Sequence, residues 1–156
     1  MERSAVFSPC GRYRYVLRRH WQRSAAVVMV VGLNPSSADG QRDDATTRRC
    51  IRFAQDWGYG GLCMTNLFAF RARHPSTLLA AEEPVGPEND AWLRACAASS
   101  ATVVAAWGRH GTEAGRDRAV MAFLPPLQVL RLGKTAQPMH PLYLPKSLTP
   151  VAWSAF

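Results

Sequence analysis

The sequence predicts an α/β fold: a single domain over residues 1–156, with a central four-stranded, mostly parallel sheet and helices on both faces. Three observations predict it. Short β-branched apolar runs alternate with segments of helical period, the pattern of parallel strands joined by crossover helices. Those runs are apolar throughout, as in strands covered on both faces. The chain has 156 residues, 47% apolar and 19% charged, enough for one substantial core and unlike a disordered chain.

Arg12 to Leu17 alternates basic and apolar residues, which predicts a half-buried strand. Ala25 to Leu33 is a continuous valine-rich run closed by Asn34-Pro35, a fully buried strand. A polar loop, Asn34 to Asp43, follows. A helix is expected from about Asp44 to Trp57, because Cys50, Phe53, Ala54 and Trp57 recur at helical spacing. Asp43 and Asp44 suit its positive N-terminal end, and Gly58 stops it. Gly61 to Phe68 is the next strand, Pro75 to Ala81 a short helix, and Glu88 to Ala98 a longer one. Thr102 to Trp107 is a third buried strand. Thr112 to Leu124 is a helix halted by Pro125-Pro126, and Leu127 to Leu132 is a fourth strand. The proline-rich tail, Lys134 to Phe156, is expected to be ordered loop.

Charge narrows the partners. The net charge is +8, and 17 of the 19 basic residues are arginine. A pI of about 10 points to a polyanion, nucleic acid first; a GC-rich genome also enriches arginine. Ala25 to Leu33, the longest apolar run, is far too short to span a membrane, and no signal-peptide pattern opens the chain, so a cytoplasmic protein is expected. Cys10, Cys50, Cys63 and Cys96 lack the spacing of a zinc or iron–sulfur site, which leaves them as buried free thiols.

In open parallel sheets, ligands bind beyond the carboxyl ends of the strands. That rule selects four segments: Gly32-Leu33-Asn34-Pro35-Ser36-Ser37, Thr65-Asn66-Leu67-Phe68, Trp107-Gly108-Arg109-His110, and the loop after Leu132 that contains His140. Polar groups accumulate in all four.

These residues resemble the motifs of the uracil-DNA glycosylase superfamily. Gly32-Leu33-Asn34-Pro35 is similar to the first motif of its mismatch-specific uracil/thymine branch, Gly-Ile-Asn-Pro-Gly. Thr65-Asn66-Leu67, with Arg71 and Pro75-Ser76, resembles the Thr-Asn segment of that branch, and Gly108 its Gly-Lys segment. His140-Pro141, followed by Leu142-Tyr143-Leu144, resembles the second motif, His-Pro-Ser-Pro in the uracil-specific branch. The order agrees over roughly residues 25–147. Over its whole length the chain also resembles the family labelled domain of unknown function 1643, a label that fixes no activity.

The superfamily resemblance implies excision of a base flipped out of double-stranded DNA. Asn34 would position the water and His140 would donate to the base as negative charge develops. Asp39 and Asp43 are candidate bases, because an asparagine in the first motif leaves the carboxylate role vacant. Gly32, Leu33, Pro35, Ser36, Ser37, Asn66, Phe68 and Trp107 would form the base pocket. Arg48, Arg49, Arg71, Arg109, Lys134 and Lys146 would contact DNA phosphates, while Leu142 and Tyr143 fill the gap left by the flipped base. Each residue has an ordinary rival role: Asn34-Pro35 as a turn, Asn66 as a backbone cap, His140 as a surface histidine, the aspartates as loop caps, the arginines as a solvated face. In the uracil-specific branch a tyrosine follows the first-motif proline and bars 5-substituents. Here Ser36, Ser37 and Ala38 follow it and leave room.

The expected activity is therefore a monofunctional glycosylase, without cofactor or metal, acting as a monomer on a 5-substituted pyrimidine. Hydroxymethylcytosine derivatives of phage DNA are one such class, and antiphage defence or base-excision repair the setting. A hydrolase of free modified nucleosides or nucleotides, and a non-enzymatic nucleic-acid-binding module, are the alternatives.

Overall fold

The computed structural model describes residues 1–153. Seven strands form one sheet: β1 (Glu2–Phe7), β2 (Arg14–His20), β3 (Val27–Gly32), β4 (Gly61–Asn66), β5 (Thr102–Ala105), β6 (Gln128–Val129) and β7 (Val151–Ala152). Their order is β1-β2-β4-β3-β5-β6-β7. The inner strands β4, β3, β5 and β6 pair in parallel. β1 and β2 on one flank and β7 on the other are antiparallel. The fold is thus mixed α/β, and its sheet is larger than the expected four strands.

Four helices cover the sheet: α1 (Ala45–Asp56), α2 (Pro75–Ala80), α3 (Asn89–Ala98) and α4 (Arg116–Met121). Side chains alternate along β3. Val28 and Val30 pack with Cys50, Phe53 and Ala54 of α1, while Met29 and Val31 pack with Leu78, Leu93, Cys96 and Val120 of the other three helices. β3 is therefore buried on both faces, which is why its sequence is apolar without a break. Asp44 caps α1 by accepting the Thr47 N–H at 2.8 Å.

Several expectations need correction, among them the strand expected over Leu127 to Leu132, of which only Gln128–Val129 pairs as β6. β1 had no strand signal, because it is a flank strand whose first three residues are exposed; its register opposite β2 supplies the pairing. β2 begins later than expected and runs on through Arg18, Arg19 and His20. Its buried Arg19 is a residue type that sequence reading assigns to solvent. The helix expected over residues 112–124 is only α4, preceded by 3-10 turns over Arg109–Gly115 in which Ala114 and Gly115 adopt positive φ. The tail contains a 3-10 turn, Pro141–Tyr143, and β7; its residues 154–156 lie outside the described residues. Of the thiols, Cys50, Cys63 and Cys96 are buried, but Cys10 is exposed. No described helix is long and apolar enough to cross a membrane.

Candidate functional site

At the carboxyl ends of the parallel strands lies a cavity of about 820 Å³. All four segments selected from the sequence reach it. The backbone explains why. After β3, the carbonyls of Gly32 and Leu33 accept the N–H groups of Leu67 and Phe68 at 2.9 and 3.0 Å, which welds the first two segments together. The Gly108 N–H donates to Pro138 O at 2.7 Å and Met139 N–H to Arg131 O at 2.9 Å, so the third segment holds the histidine loop in place. Arg49 reinforces that loop by donating to Leu144 O.

Asn34 lines the cavity with its amide already oriented. Nδ2 donates to Ala72 O at 2.8 Å and to Pro35 O at 3.0 Å. Both amide hydrogens are used, and Oδ1 carries no hydrogen bond among the described residues. The side chain therefore presents an acceptor. Asn66 is buried and also lines the cavity; its Nδ2 is enclosed without a partner. Gly32 leaves room for it, because a Cβ there would stand 2.8 Å from Asn66 Oδ1 and push that amide aside.

His140 lines the same cavity and precedes the 3-10 turn, where its Nδ1 accepts the Leu142 N–H at 3.2 Å. That bond makes Nδ1 an acceptor, so the ring is neutral with its proton on Nε2. Burial lowers its pKa below the ordinary histidine value, opposed by the negative charge of Asp44. Tyr143 and Leu142 follow on the turn, 78% and 39% exposed, an apolar projection beside the cavity mouth.

The other expected residues divide. Leu33, Pro35, Ser36 and Trp107 form walls, and Trp107 Nε1 donates to Gln137 Oε1 at 2.8 Å. Arg109 and Lys134 stand at the rim. Phe68 does not reach the cavity but packs in the core, and Ser37 points to solvent. Asp39 is used as a loop cap, accepting the N–H groups of Gln41 and Arg42, bonds that hold its pKa low. Asp43 is ion-paired with Arg3 and with the buried Arg19. Neither carboxylate lines the cavity, so neither is placed as a base. Arg48 is exposed on α1. Arg71 donates to Gly11 O with its guanidinium 5.0 Å above the Phe7 ring, and Arg49 is held over Phe53. Lys146 is exposed on the tail and does not line the cavity.

Sequence reasoning missed three charged residues that do line the cavity, Arg14, Arg73 and Asp44. Burial raises the Asp44 pKa, but hydrogen bonds from Thr47 and Ala38 and the nearby Arg14 outweigh it and hold the group low. It also missed a supporting layer. Asn89 donates to Asn66 O and Leu67 O, both at 3.0 Å, and Arg116 donates to Leu67 O at 2.7 Å while paired with Asp90. The signals available for these were a polar residue opening α3 and an arginine after a glycine, both too common to select. Among the described residues, no three His, Cys, Asp or Glu side chains converge as a metal site.

Fold and site together define an α/β protein with a cavity at its strand ends, lined by four cations (Arg14, Arg73, Arg109 and Lys134) and the carboxylate of Asp44. The chain belongs to the protein family of unknown function DUF1643, which matches residues 14–142 and so takes in the cavity residues named above. No curated protein and no solved structure matches it.

Proposed function

We propose that this protein is a DNA glycosylase that hydrolyses the N-glycosidic bond of a modified, 5-substituted pyrimidine and leaves an abasic site. The observation that carries this reading is the pairing, in one cavity, of a preoriented acceptor, Asn34 Oδ1, with a neutral histidine whose Nε2–H is a donor. Glycosidic hydrolysis needs both. The acceptor orients a water toward C1′; the C1′–N1 bond breaks, its electron pair leaves on the base, and a donor meets the charge growing there. The resemblance of these segments to the uracil-DNA glycosylase superfamily supports the same assignment. The cavity volume and the small Ser36 beside Pro35 accommodate a 5-substituent, of which hydroxymethylcytosine derivatives are one class. Exposed Leu142 and Tyr143 suit the gap left by a flipped base. Phage defence or base-excision repair follows as the role.

Base release from duplexes containing uracil, mismatched thymine, 5-hydroxymethylcytosine and its glucosylated form tests this, read by mass spectrometry. Release of a 5-substituted base, slowed at least ~10²-fold by Asn34→Ala, is expected. A protein that binds these duplexes and releases nothing is a binding module instead. Release from free nucleosides alone assigns the chain to nucleoside hydrolysis, a reading the cavity volume also permits.

A further inference from the structure

Arg14 belongs to none of the four strand-end segments; it opens β2, on the antiparallel flank of the sheet. Yet it lines the cavity, and the residue is only 3% exposed. A guanidinium so placed should have its donors filled. Nη1 donates to Ala38 O at 3.0 Å, but Nε is enclosed with no partner. Asp44 is the negative charge that acts most on it, yet no ion pair forms between them. The Asp44 carboxylate is instead taken up by the N–H groups of Thr47 and Ala38. Burial lowers the Arg14 pKa only to about 10, so the group stays charged at neutral pH. Arg73, Arg109 and Lys134 add positive charge around the same cavity. A buried cation with unfilled hydrogen-bonding capacity, in a cavity with one committed carboxylate, is built to receive an anion.

We infer that Arg14 is the cavity's anion receptor, the group that takes the negative charge of the departing pyrimidine. This rests on the glycosylase reading for the identity of the anion. When C1′–N1 breaks, the electron pair stays on N1 and delocalises onto the C2 carbonyl oxygen, and Arg14 holds that charge while the water oxygen bonds to C1′; the proton this water sheds then passes to N1 of the departed base. His140 then supplies a neutral donor and Arg14 the fixed charge.

The test is calorimetric binding of two free pyrimidines to the full chain. One is 5-nitrouracil, an anion at neutral pH because its nitro group acidifies the ring; the other is thymine, neutral and of similar size. The wild-type protein should bind 5-nitrouracil about 10- to 100-fold more tightly, the range of one charge-assisted hydrogen bond. Arg14→Met should erase that preference and leave thymine binding in place, which also shows an intact cavity. Arg14→Lys should keep most of it, and Arg14→Gln serves if the methionine variant does not fold. Equal wild-type affinities for the two pyrimidines, or a preference that survives Arg14→Met, overturns the inference. The two readings fail separately. Arg14-dependent anion binding without base release from any DNA removes the glycosylase reading and keeps the receptor. Asn34-dependent base release unaffected by Arg14→Met does the reverse.

Discussion

Asn34 and His140 show how a side chain acquires a role from its hydrogen bonds. The Asn34 amide spends both donors on carbonyls and keeps one acceptor. Replacing it by aspartate removes two donors and sets a carboxylate against two carbonyl oxygens. Asn34→Asp should therefore lower stability by about 2–4 kcal/mol, from two lost hydrogen bonds and an unsatisfied charge, measured by urea denaturation. It should not create a faster enzyme by supplying a carboxylate. His140 is the corresponding pH element. Its folded pKa lies below the ordinary value of about 6.5, through burial first and despite Asp44. The unfolded chain thus binds the proton more readily, so stability is full above about pH 6.5 and falls as pH drops toward the folded pKa. Protonation also places a hydrogen on Nδ1 facing the Leu142 N–H, which breaks the turn. Activity and the melting temperature should both decline below that pH, and His140→Gln should flatten the stability limb.

The elements around the cavity divide their labour. The loop before α1 holds three aspartates, Asp39, Asp43 and Asp44, and only Asp44 reaches the cavity. Asp43 holds Arg19, whose other donors go to the carbonyls of Ser4, Arg18, Asp39 and Arg42. This buried guanidinium ties β1, β2 and the loop together. Removing its one carboxylate partner leaves an uncompensated buried charge. Asp43→Ala should cost about 3–5 kcal/mol in chemical denaturation. Its base release, measured at a temperature where the variant is folded, should stay near wild type. A variant of full stability and no activity would instead return Asp43 to the chemistry.

Over the whole molecule, the net charge of +8 acts by location rather than by sum. Arg19, Arg49, Arg71 and Arg116 are engaged in internal bonds, so a good part of the basic inventory holds the fold together. Arg109 and Lys134 are exposed at the cavity rim. DNA affinity should fall linearly on a log–log plot against salt, and Arg109→Ala or Lys134→Ala should each reduce that slope by about 1. Lys146→Ala, outside the cavity lining, should leave the slope unchanged.

Local pattern was enough for β3, β4, β5 and α1, because burial on both faces or on one stripe writes itself directly into hydrophobic spacing. It was also enough to bring Asn34, Asn66, Trp107 and His140 to one place, since the ends of parallel strands converge by topology. β1 and β7 were invisible, for their pairing comes from partners distant in sequence and their own residues are largely exposed. The sorting of charges was equally out of reach. Asp39, Asp43 and Asp44 differ by a few positions and read alike, yet one caps a loop, one neutralises a buried arginine and one faces the cavity. Arg14 likewise reads as the polar side of a half-buried strand, and Arg19 lies beyond that strand's expected end. A charged side chain declares its chemistry in the sequence, but its function follows from what surrounds it. Tertiary packing decides which charges meet a partner and which one, like Arg14, is left facing a cavity without one.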